Sequence, residues 1–82
     1  MTPSVKWKQW GQPRPYADSI YSGLITADTE RQAKEHLRQC RGQTAPIKSK
    51  ADKRDWWEAY FDDFFPEAQG IWRFRIIEPY TD

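Results

Sequence analysis

Cysteine, histidine and methionine occur once each in this 82-residue chain, as Cys40, His36 and Met1, and glycine only four times. One thiol cannot close an intramolecular disulfide or build a Cys-based zinc site. Small secreted domains usually rely on such staples. The opening residues, MTPSVKWKQW, hold no apolar run of the kind a secretory signal needs. No stretch approaches the ~20 apolar residues of a membrane-spanning helix. These absences set the expectation of a cytoplasmic protein with no membrane partner.

Catalytic signatures are missing as well. There is no P-loop, no G-x-G-x-x-G, no G-x-S-x-G and no H-E-x-x-H. His36 lies four residues before Cys40, a spacing at which a Cys–His pair is conceivable. One helical turn supplies neither an oxyanion hole nor a third orienting group, so a boundary histidine and a packed cysteine are expected. Asp62 and Asp63 are adjacent acids without clustered ligands, which suits a solvated face better than acid–base or metal chemistry. The sequence therefore predicts no enzyme, no metal and no cofactor.

What the chain does have is rings: five Trp, four Tyr and four Phe, 16% of all residues. A domain this small buries only about 60–65% of its unfolded surface, and large side chains compensate. Charge is abundant but balanced, at +1 net. Its distribution is uneven. Residues 1–54 carry eleven Lys/Arg against five Asp/Glu, and residues 55–82 two against seven, so +6 and −5 sum to +1. Either the molecule is electrically two-faced or its halves neutralise one another on folding.

Periodicity predicts a single domain over 1–82, with 1–4 and 80–82 frayed. Val5–Trp10 alternates weakly as a first strand, and the GQPRP run at 11–15 breaks it. Ser19–Ala27 reads as a second strand. A helix follows, capped by Asp28 or Thr29, with Ala33, His36, Leu37 and Cys40 on one apolar stripe and Gly42 as its stop. Gln43–Ala51 reads as a loop, or as a short edge strand around Ala45–Ser49. Gly70–Glu78 gives the strongest strand signal, with Trp72, Phe74 and Ile76 on one face and Ile71, Arg73, Arg75 and Ile77 on the other.

Between these lies DKRDWWEAYFDDFFP, Asp52–Pro66, with Trp56, Trp57, Tyr60, Phe61, Phe64 and Phe65 in adjacent pairs four apart. At about 100° per residue this predicts a second helix, aromatic over about 180° and acidic on the remainder. The resulting fold expectation is α+β: a two-layer sandwich, two helices on one face of a three- to four-stranded sheet, in the order β-β-α-(β)-α-β.

A core-facing stripe needs little more than about 100°, so Trp56 and Phe65, at the margins of this one, are expected to stay available as anchors for another protein. On the first helix Arg31, Lys34, Arg38 and Arg41 fall in one quadrant and could steer an acidic partner. The leading functional expectation is a non-catalytic protein-binding module: an accessory subunit, adaptor or small inhibitor with a regulatory role. The alternative is a small nucleic-acid-binding domain using Lys48, Lys50, Arg73 and Arg75, with Lys6 and Lys8 flanking them. The RNP signature and zinc-finger spacings are missing. A homodimer, through an exposed last strand or an aromatic edge, is a third possibility.

Overall fold

A computed structural model describes residues 2–40 and 47–80, with Cys40 described by its backbone alone. The elements are β1 (Ser4–Gly11), β2 (Ser19–Thr26), α1 (Glu30–Cys40), β3 (Lys48–Ser49), β4 (Tyr60–Ala68) and β5 (Ile71–Glu78). They form one five-stranded sheet in the order β1-β2-β5-β4-β3, antiparallel except where the two-residue β3 runs parallel to β4. Arg41, the Gly42 stop, the His36–Cys40 pairing and residues 43–46 of the expected 43–51 loop lie outside the described residues, as do Met1 and residues 81–82.

The expected two-helix architecture is overturned: among the described residues a single helix packs on a five-stranded sheet. Asp52–Pro66 is not a helix. Its first part is a chain of turns, with Trp56 and Trp57 inside one closed by the Glu58 amide donating to the Asp55 carbonyl (3.2 Å). Its second part is β4. Aromatic residues favour strands, and Pro66 sits there on the stretch of β4 beyond β3, a tolerated place for proline.

The helical spacing has a specific origin. In β4 the ladder slips between Phe61 and Asp63, leaving Asp62 as an extra residue. A bulge of this kind puts two residues opposite one. Phe61 and Phe64, three apart, therefore share the core face, with rings 5.5 Å apart. β1 repeats the device. Its ladder slips between Trp7 and Gln9 at Lys8, and Trp7 and Trp10 come together at 4.5 Å.

The core comprises Ile25, Ala27, Ala33, Leu37, Ile47, Phe61, Phe74 and Ile76, with Val5, Tyr21, Phe64 and Trp72 packed at its margin. Thr29 caps α1, its Oγ1 accepting from the Gln32 amide (3.1 Å), while Gln32 Oε1 accepts from the Asp28 amide (2.9 Å). This is a close relative of the capping box. The Trp72 indole donates to the Ala27 carbonyl (3.3 Å), tying β5 to the start of the crossover.

One helix is about 10 Å wide and strands lie about 4.8 Å apart, so α1 shields roughly two strands of five. At its flank Trp7, Trp10 and Tyr21 form a chain of edge-to-face rings, and Trp10 remains 56% exposed. Among the described residues no helix lies on the opposite face of the sheet.

Candidate functional site: the open face of the sheet

Strand alternation places every second residue on the face away from α1. The register arranges these residues in rows across four strands. Lys6, Leu24, Arg73 and Phe65 form one row, and Gln9, Ser22, Arg75 and Asp63 the next. Beyond them Ile20, Ile77 and Tyr60 make an apolar row. A shallow groove of about 560 Å³ runs over the first two rows, lined by Lys6, Lys8, Leu24, Arg73 and Arg75 among others. Leu24 in the groove and Phe65 at the β4 end of its row are exposed, the latter at 41%.

The charges on this face are sorted by strand. Lys6 and Lys8 belong to β1, Arg73 and Arg75 to the central β5, and Asp62, Asp63 and Glu67 to β4. The two arginines already have acidic partners: Arg73 Nη2 donates to Glu67 Oε1 at 2.6 Å, and Arg75 Nε lies 3.8 Å from Asp62 Oδ2. Lys50 also reaches Asp62, at 3.5 Å. The Arg73 guanidinium lies 5.4 Å from the centre of the Phe65 ring. Lys6 and Lys8 have no acidic partner within 4 Å among the described residues.

The expected site residues are divided by the fold. Arg73 and Arg75 share the outer face of β5 as anticipated, with Phe65 beside them. Trp56, 68% exposed, lies in the turn before β4. Two cations of the basic quadrant of α1 are engaged within the chain. Lys34 pairs with Glu30 (3.5 Å) and stands over Phe64 (4.9 Å) and Phe61 (5.4 Å). Arg38 donates to the Ile47 carbonyl (3.2 Å), and its Nε is buried. Arg31 is exposed, and Arg41 lies outside the described residues. Lys48 lines a separate hollow with Asp52, Arg54 and Glu58. There the Glu58 carboxylate accepts from the Arg54 and Asp55 amides (2.9 and 3.3 Å), and these bonds hold its pKa below the ordinary glutamate value.

Asp62 and Asp63 take different parts, Asp62 as the bulge residue within ion-pair distance of Arg75 and Lys50, and Asp63 opposite Arg75 in the ladder. Among the described residues no three His, Cys, Asp or Glu side chains group as a metal site, and no helix is long and apolar enough to cross a membrane. Sequence reasoning missed Leu24 as a surface residue. Its signal was the alternation of β2, where Leu24 falls out of phase with the buried Ile25. Comparison with family models, curated proteins and solved structures finds no match for this chain.

Proposed function

We propose that this chain is a non-catalytic protein-binding module that receives its partner on the open sheet face. The observation that carries this reading is the pair of exposed apolar side chains on that face, Leu24 and Phe65, set on either side of Arg73, with lysines on β1 and carboxylates on β4. Exposed apolar area with a charged rim is the usual make-up of a protein interface. A cytoplasmic setting and a role as adaptor, accessory subunit or inhibitor belong to the same reading.

The nucleic-acid alternative rests on Lys6, Lys8, Arg73 and Arg75 around one groove. It is the weaker reading, because Asp62, Asp63 and Glu67 share the face and would repel phosphates.

The test compares tagged wild-type chain with a Leu24→Glu/Phe65→Glu variant as baits in nuclease-treated lysate. Proteins captured by wild type and lost from the folded variant support the reading. Identical captures with both baits refute it, and captures that disappear with nuclease move the face to nucleic acid.

A further inference from the structure

Resting on the reading just given, we infer that the partner received by the open face is a second copy of this chain, packed face to face about a two-fold axis parallel to the strands. Such an axis reverses the strand order of the second sheet over the first. It lays β1 of each copy over β4 of the other. Lys6 and Lys8, without an acidic partner among the described residues, then meet the Asp63–Glu67 side of the partner, and symmetry makes the same match twice. An axis perpendicular to the strands would instead set lysine over lysine and acid over acid. The sorting of charge by strand thus selects one of the two ways in which the sheets can stack.

The apolar requirement is met by the same arrangement. Leu24 lies next to the midline between β2 and β5, where two copies approach, and each Phe65 is carried over the outer β1 strand of the other copy. Stacked sheets pack about 10 Å apart, and long side chains such as Lys and Arg fill that gap by laying their stems on apolar surface. Four strands of about eight residues present a face of roughly 500 Å² in projection. Side-chain relief raises this towards the about 800 Å² per partner of a standard interface.

The sheet edges favour this route over edge-to-edge pairing. β1 carries the Lys8 bulge and its lysines, and β4 carries Pro66 between bulges at Asp62 and Glu67. Bulges, lysine and proline are the devices that keep sheet edges from pairing. β5 is interior, between β2 and β4, so the last strand has no free edge through which to pair with a second copy.

Sedimentation equilibrium on the whole chain tests this. Wild type is expected to be a dimer at tens of micromolar. Lys6→Glu/Lys8→Glu and Asp63→Lys/Glu67→Lys are each expected to raise the dimer dissociation constant at least tenfold. An equimolar mixture of the two variants is expected to restore a dimer, now of mixed composition. A wild type that stays monomeric to millimolar concentration overturns the inference, as does a variant that dimerises unchanged or a folded pair that does not recover on mixing. Should either variant fail to fold by circular dichroism, the wild-type dilution series and its loss on Leu24→Glu decide in its place. A monomer whose capture of other proteins still depends on Leu24 and Phe65 would defeat this inference alone and leave the protein-binding reading standing.

Discussion

The Trp7 indole meets the Phe74 ring edge-on, centroids 5.4 Å apart and planes at 88°, across the strand that separates them. The residue between them in the ladder is Gly23, which pairs with Trp7 on one side and Phe74 on the other. A methyl group there would overlap the Lys6 carbonyl oxygen, and the φ of +154° already disfavours a side chain. The glycine leaves a gap in the pleat that the Trp7 ring spans to reach the core. Gly23→Ala should therefore cost roughly 2–4 kcal/mol. Urea denaturation checks the value, and an unchanged midpoint would contradict the packing described.

Trp7 and Trp56 should respond oppositely to truncation. Trp7→Ala removes a ring in contact with both Phe74 and Trp10, and a loss of about 2–4 kcal/mol is expected. Trp56 is mostly in solvent, so Trp56→Ala should stay within about 0.5 kcal/mol of wild type. Thermal melts of the two variants side by side give the comparison.

Arg38 should behave as a structural residue. Its guanidinium joins α1 to the Ile47 carbonyl just before β3, so Arg38→Ala is expected to cost about 1–3 kcal/mol, including the buried carbonyl left without that donor. Arg38→Ala should leave association untouched once the protein is folded, measured by sedimentation below the melting range. Lys34→Ala should cost less, about 0.5–1 kcal/mol, through the lost contact with the Phe64 and Phe61 rings.

Glu58 links the turn before β4 to pH. Its folded pKa is lowered first by the Arg54 backbone hydrogen bond and then by that of Asp55. A group with a lowered folded pKa binds fewer protons when folded. Its contribution is fully present above the unfolded glutamate value of about 4.3. It fades as pH falls through that value towards the folded one. Glu58→Gln should flatten this part of the acid limb in denaturation midpoints taken from pH 6 to 3. A variant with an unaltered acid limb would show that the two amide bonds do not persist in solution.

Much of the fold is readable from residue order, and the failure is confined to one segment. β2, α1 and β5 announce themselves by clean periods of 2 and 3.6, and the division of β5 into Trp72, Phe74, Ile76 against Arg73, Arg75 follows from alternation alone. The segment from Asp52 to Pro66 misleads because Asp62 interrupts the alternation of β4 and gives it a spacing of three and four. The two-residue connection Gln69–Gly70 between β4 and β5, with φ of +74° at Gly70, was the available counter-signal. Glycine three residues after Glu67 and just before a strong strand favours a hairpin over a helix end. The groove was half legible. Arg73, Arg75 and their lysine neighbours stand out in sequence, whereas Leu24 and the acidic side of β4 need the strand order, which pairing between distant segments decides.

The extra residue at Asp62 also sets how the chain tolerates shortening. Remove that one position and Phe61, Asp63, Phe64 and Phe65 still alternate in, out, in, out, so the strand closes up with its lining intact. Remove Phe64 instead, and Phe65 takes its inward place while every neighbour beyond it is turned inside out. The same asymmetry holds for Lys8 in β1. Insertions and deletions in relatives of this chain should thus collect at these two points and at the Glu67 bulge, where length can drift by one without scrambling what faces the core.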